Sequence, residues 1–174
     1  MAYGRVFLGN TDGRVYSFAA SSGRLAWSRA TGGYVYAAPA VANVPGTRPS
    51  VYIGSYDGVF YALDARTGAS RWTHRAGGRI SGAASVIGRI VYFSNLGAKS
   101  TSGLDVRDGR RVFKIGRGAY NPVISDGRRL YVTGYSSLYA FEPRRSRSKR
   151  ARGASERRRD RSARRGRRRG GRAR

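Results

Sequence analysis

The chain is 174 residues long and strongly basic, with 35 Lys or Arg against nine Asp or Glu, a formal net charge of +26, one histidine and no cysteine. A disulfide framework is excluded, and His74, the single histidine, has no second histidine or cysteine with which to hold a metal. The longest apolar stretch, Tyr34 to Val44, is interrupted by Pro39 and Asn43 and falls well short of the roughly 20 residues that a membrane helix requires.

In chain order, Met1-Ala2-Tyr3 runs straight into an apolar segment, Val6 to Gly9, with no charged-then-apolar leader, so no export signal is visible. Tyr16 to Trp27 reads as two short strands around the turn Ser21-Ser22-Gly23. Ala38 to Ala42 reads as another strand, and the turn-rich insertion Pro45-Gly46-Thr47-Arg48-Pro49 follows it. Val51 to Ser55 and Val59 to Ala65 are strands joined by the turn Tyr56-Asp57-Gly58, and the turn Arg66-Thr67-Gly68 leads to an outer strand, Ser70 to Arg75, that carries Trp72. Gly58 and Gly68 suit the positive φ of such turns, and Asp57 and Asp64 can fold their carboxylates back onto backbone N–H groups. Trp72 is a large apolar anchor whose indole N–H needs an acceptor. Val91 to Ser94, Ser102 to Phe113, Tyr120 to Ser125, Arg128 to Gly134 and Leu138 to Glu142 complete the strand-like runs.

These runs repeat. Val6, Val51, Val91 and Leu130 head equivalent segments 45, 40 and 39 residues apart, and the Pro45 to Pro49 insertion accounts for the longer first interval. Tyr16 to Trp27 aligns with Tyr61 to Trp72, and Ser102 to Phe113 follows with Phe113 in the Trp place. A period near forty with three or four short strands and no amphipathic helix is the pattern of propeller blades.

The core Asp-x-x-Thr-Gly-x-x-x-Trp (Asp64, Thr67, Gly68, Trp72), echoed by Trp27 and Phe113, resembles the PQQ-type (quinoprotein-like) β-propeller repeat, which the outer-membrane-assembly propeller lipoproteins share. The resemblance covers about residues 4 to 143. Ala19 replaces the Asp in the first copy and Asp108 the Thr in the third, which predicts looser turns there. The expected fold is all-β: a partial, open β-propeller of four-stranded antiparallel blades at about 4–32, 36–75, 82–115 and 120–142, the first without its inner strand and the last without its outer one. Residues 1–143 form this domain. The resemblance implies a cell-envelope or extracytoplasmic setting, and beside it the abrupt start leads us to expect missing upstream sequence.

Residues 144–174 hold 17 Arg or Lys and two acids, with Ala as their one kind of apolar residue. Such a composition predicts a disordered tail. One reading is a polybasic arm whose arginines, among them Arg157, Arg158, Arg159, Arg167, Arg168 and Arg169, contact nucleic acid or an anionic surface without sequence preference. The other is a frameshifted end of a GC-rich gene, consistent with 32 Arg to three Lys in the chain. Within the repeats, Arg5, Arg14, Arg24, Arg79, Arg89, Arg110, Arg117 and Arg128 follow glycines at turns or strand starts. They read as a solvated surface that discourages edge pairing or as a basic ring for an acidic partner.

Catalytic constellations are absent from the sequence: no Gly-x-Ser-x-Gly elbow occurs, and Gly77 to Gly82 lacks the Lys-Ser/Thr ending of a phosphate loop. Quinoproteins of the resembled fold hold a calcium with acidic and amide side chains, carry a catalytic Asp and often a pair of adjacent cysteines. Here the six aspartates of the repeats, Asp12, Asp57, Asp64, Asp105, Asp108 and Asp126, all fall in turns, so neither the quinone PQQ nor calcium is expected. The expected function is a non-catalytic interaction scaffold, a fragment of a larger propeller that binds protein partners through loops or open blade faces. A homodimer closing a ring of eight blades is one such partnership. The alternatives are a piece of a PQQ-dependent quinoprotein oxidoreductase and a basic-tail nucleic-acid binder.

Overall fold

Val51, Tyr52 and Ile53 are consecutive strand residues and all three are wholly buried, which requires a sheet covered on both faces. The computed structural model describes residues 1–118 and 121–143; Arg157, Arg158, Arg159, Arg167, Arg168 and Arg169 lie outside the described residues. Within Met1–Glu142, which form one unit, the chain builds four antiparallel sheets in succession. The first is β1 (Arg5–Gly9), β2 (Arg14–Ala19) and β3 (Leu25–Ala30); the second is β4 (Ala40–Ala42), β5 (Ser50–Gly54), β6 (Val59–Asp64) and β7 (Ser70–Arg75). The third is β8 (Ser85–Ile87), β9 (Ile90–Asn95), β10 (Ser100–Asp105) and β11 (Arg111–Ile115); the fourth is β12 (Ile124–Ser125), β13 (Leu130–Thr133) and β14 (Leu138–Phe141). Each sheet is a meander in chain order, and the whole is an open arc of propeller blades, two with four strands and two with three.

The inner strands are shorter than the sequence suggests. Ala38 to Ala42 contracts to β4, and of the run expected at Tyr120 to Ser125, whose described part is residues 121–125, only β12 pairs. Pro39 and Pro122 stand just before them, and a proline brings no N–H to a ladder. Neighbouring inner segments are tied instead by Ala84 N donating to Ala38 O at 3.3 Å and by Ser85 Oγ donating to Val123 O at 2.7 Å.

Side-chain alternation sends successive residues of one strand into two different cores. Val51, Ile53 and Leu63 pack with Phe7, Val15 and Trp27 of the preceding sheet, whereas Tyr52, Phe60 and Ala62 pack with Val91, Phe93 and Leu104 of the following one. Phe60 and Phe93 stack with centroids 4.2 Å apart. The third core joins Tyr92 to Val123 and Val132.

The turns that precede the outer strands are equally tight in all three copies. Gly23 N donates to Ala19 O at 2.8 Å, Gly68 N to Asp64 O at 2.9 Å and Gly109 N to Asp105 O at 2.9 Å. The looser turns expected at Ala19 and Asp108 are therefore not found. The backbone bond needs no particular side chain, and Asp108 Oδ1 accepts from Arg110 N at 2.9 Å where Thr67 Oγ1 accepts from Ala69 N at 3.3 Å.

Candidate functional site

The repeat-motif residues meet across sheets rather than within one. Asp64 Oδ1 accepts from Arg66 N and Thr67 N at 2.9 and 3.0 Å, and so shapes a turn in which Gly68 has φ +72°. Onto this turn comes Trp27 of β3, whose Nε1 donates to Ala65 O at 3.1 Å. Trp72 of β7 does the same one blade on, donating to Val106 O at 3.0 Å beside Gly109. Phe113 of β11 occupies the third equivalent place, edge-on to Phe141 with centroids 5.5 Å apart. This set locks blades together, and its side chains have no open site.

An open site lies at the other end of the strands, where the β5–β6 turn and the linkers β3–β4 and β7–β8 come together. The β3–β4 linker is extended: Val35 and Ala37 turn inward, each 2% exposed, so Tyr34 and Tyr36 point outward, each 54% exposed. Tyr56 N donates to Tyr34 O at 2.9 Å, which brings the β5–β6 turn alongside. The rings of Tyr36 and Tyr56 then lie 4.9 Å apart, those of Tyr34 and Tyr36 5.9 Å apart, and the Arg79 guanidinium sits 5.7 Å from the Tyr56 centroid. Together with Gly33 these side chains line a cleft of about 470 Å³.

Asp57, next to the cleft, is fully engaged. It accepts from Gly32 N and Val59 N at 2.8 Å each and from Tyr61 Oη at 2.5 Å. Burial, and after it this carboxylate, pushes the Tyr61 hydroxyl up to about 12, so Tyr61 stays a donor at neutral pH. With Asp57 tied down, Arg79 gives the cleft its charge. The same end of the strands carries two more cation–aromatic pairs, Lys99 Nζ at 5.6 Å from the Tyr135 centroid and Arg117 at 6.0 Å from that of Tyr139. Contacts of this kind contribute about 0.5–1 kcal/mol at exposed positions.

Sequence reasoning counted Tyr34 to Val44 as an apolar run and Arg79 as one of the glycine-arginine pairs, and so missed this cleft. The available signal was the alternation Tyr34-Val35-Tyr36-Ala37, which exposes both tyrosines whenever Val35 is buried. His74 is half-buried with its ring 6.4 Å from that of Phe93, and burial first, then the Arg111 charge, lowers its pKa.

Among the described residues no group of three or more His, Cys, Asp or Glu is placed to hold a metal. Each of the six aspartates is spent in its own turn: Asp12 on Arg14 N and Tyr16 Oη, Asp57 and Asp64 as above, Asp105 on Arg107, Asp108 on Arg110 N, and Asp126 on Arg128 N, Arg129 N and Tyr131 Oη.

Compared with known proteins, residues 1–161 match the family described as outer membrane protein assembly factor BamB. No curated protein matches the chain in sequence. Among solved structures, BamB from Moraxella catarrhalis is similar with a TM-score of 0.65 and 23% identity over 82% of this chain and 43% of that one. Quinohemoprotein alcohol dehydrogenase from Pseudomonas putida HK5 gives 0.64 and 19% over 74% and 26%, and that from Comamonas testosteroni 0.61 and 19% over 74% and 27%. These likenesses are of fold, and the chain spans less than half the length of each.

Proposed function

The chain belongs to the outer membrane protein assembly factor BamB family, and from that premise we propose that it is a non-catalytic interaction scaffold working outside the cytoplasm at the outer membrane. The observation that carries this reading is the cleft of Tyr34, Tyr36, Tyr56 and Arg79. Three tyrosines share one exposed patch, and the inward side chains that hold their linker, Val35 and Ala37, are buried. Tyr and Arg are the residue types that dominate binding energy at protein interfaces, and a wide aromatic cleft suits an extended polypeptide. The quinoprotein alternative requires a cluster of oxygen ligands, and the aspartates here are spread over separate turns, with no group of three acidic residues together among the described residues.

The test is co-purification of the full chain with the outer-membrane assembly apparatus. Replacing Tyr34, Tyr36 and Tyr56 together by Ala is expected to weaken recovery about tenfold or more, as loss of interface hot spots does, while the melting temperature holds. Unchanged recovery would overturn the reading.

A second partner surface is supported by Gly23. An added Cβ at its equivalents Gly68 and Gly109 would come within 2.7 Å of Trp27 and Trp72, whereas nothing lies within 4 Å of one at Gly23. The same end blade exposes Val6 and Leu8, at 38% and 39%, where their equivalents Val51 and Ile53 are wholly buried; the other end blade exposes Ile124 and Leu138. Pairing of such faces between two copies would complete a ring of eight blades. Light scattering on the full chain is expected to give a dimer, and a monodisperse monomer at micromolar concentration would overturn that assembly.

A further inference from the structure

The insertion Pro45 to Pro49 lengthens one repeat and has no counterpart in the others, and the cores are complete without its side chains. It lies at the end of the strands opposite the tyrosine cleft, in the β4–β5 connection. There it forms one wall of a second cleft, of about 440 Å³, between the second and third blades. Three arginines reach this cleft from three separate elements: Arg48 from the insertion, Arg71 from β7 and Arg107 from the turn after β10. Gly46, Thr47 and Ser50 add small polar wall.

Gathering three arginines around one cleft is unfavourable unless anions offset their charge. Two are partly offset within the fold, Arg71 by Asp64 at 2.6 Å and Arg107 by Asp105 at 3.3 Å. Arg48 forms no ion pair with any described residue. Arg71 also keeps its Nε buried without a hydrogen-bond partner. The cleft therefore carries one positive charge with no ion-pair partner, Arg48, beside two arginines whose charges are partly offset.

We propose that this cleft binds a phosphate group, held by Arg48, Arg71 and Arg107. A carboxylate presents two oxygens in one plane, which a single guanidinium fork satisfies. A tetrahedral phosphate presents oxygens in several directions and carries up to two charges, and it is the group that arginines on three elements, one of them without an ion-pair partner, can share. The cleft volume lies within the range of small-ligand sites, so the phosphate can belong to a soluble phosphomonoester or to a phospholipid headgroup.

The experiment uses the full chain at low ionic strength, with glycerol 3-phosphate as a calorimetric probe and flotation with phosphatidylglycerol vesicles as the second arm. The variant is Arg48→Gln, since Arg48 is exposed and supports no ion pair. The control is Arg24→Gln, an equal loss of charge from the first blade's turn, outside the cleft. Any basic-surface background is common to all three proteins. Arg48→Gln is expected to lower affinity for glycerol 3-phosphate about tenfold with Arg24→Gln unchanged, which assigns a soluble ligand. Loss of flotation in Arg48→Gln alone, with no difference for the soluble probe, supports the site and assigns a headgroup. Parent and Arg48→Gln behaving alike in both arms, or Arg24→Gln losing as much, would overturn the proposal. A matched melting temperature for parent and variants keeps misfolding from imitating the expected result.

Discussion

Trp72 of one blade lies across Gly109 of the next, so closely that a Cβ on Gly109 would come within 2.7 Å of the indole ring. The indole N–H meanwhile reaches Val106 O at 3.0 Å. Glycine serves two requirements at this point: a φ of +72° and room for the ring. Trp72→Ala is expected to cost about 3 to 5 kcal/mol in chemical denaturation. Gly109→Ala should cost at least about 1 kcal/mol from the backbone alone, and less in the Trp72→Ala background than in the parent, because the clash is gone. Strict additivity in that double-mutant cycle would mean the two residues are not in contact.

The position of His74 makes stability depend on pH in one direction. Its pKa is lowered in the folded protein, by burial first and by Arg111 second, so between the folded and unfolded values the unfolded chain binds more protons. Stability therefore rises with pH there, and the contribution is lost as pH falls from about 6.5 through the lower folded value. Because burial and Arg111 both act against the charged imidazole, the difference in denaturation midpoint between the parent and His74→Gln should be constant above that window and shift against the parent below it; parallel profiles would refute the assignment.

Tyr61 behaves in the opposite sense. With its hydroxyl raised to about 12, its contribution is intact below the ordinary value near 10 and disappears as pH rises through the folded value. Asp57→Asn removes the accepting charge and should bring the Tyr61 phenol back toward the ordinary range in an NMR titration. No movement of that titration would show that burial accounts for the whole shift.

For the basic run after Pro143 we propose salt-dependent binding of polyanions. Arg157, Arg158, Arg159, Arg167, Arg168 and Arg169 replaced together by Gln should lower the salt needed to elute the chain from heparin, and should flatten the dependence of binding on salt in proportion to the phosphates no longer neutralised. Elution at the parent's salt concentration would contradict the role.

Much of the architecture was legible because the repeat writes its turns and anchors in residue types with few substitutes. Gly58, Gly68, Asp57, Asp64, Trp27 and Trp72 marked the hairpins and the outer strands before any coordinate. Strand ends near Pro39 and Pro122 were less legible, since pairing there depends on which backbone donors remain. The tightness of the Asp108 turn was also hidden, because an Asp can cap a backbone N–H where a Thr does. Neither cleft could be read from the sequence. Tyr34, Tyr56 and Arg79 come from three connections, as do Arg48, Arg71 and Arg107 from three elements, and only the packing of successive blades brings each set together.

The most direct measurement of the central claim is photo-crosslinking in the cell, with a photoreactive phenylalanine analogue at position 36 in the tyrosine cleft and, separately, at position 66 at the opposite end of the strands. The account predicts a discrete adduct with an outer-membrane assembly component from position 36, none from position 66, and loss of the adduct when Tyr34 and Tyr56 are replaced by Ala. Equal crosslinking from both positions, or an adduct at position 36 that survives the loss of both tyrosines, would contradict it.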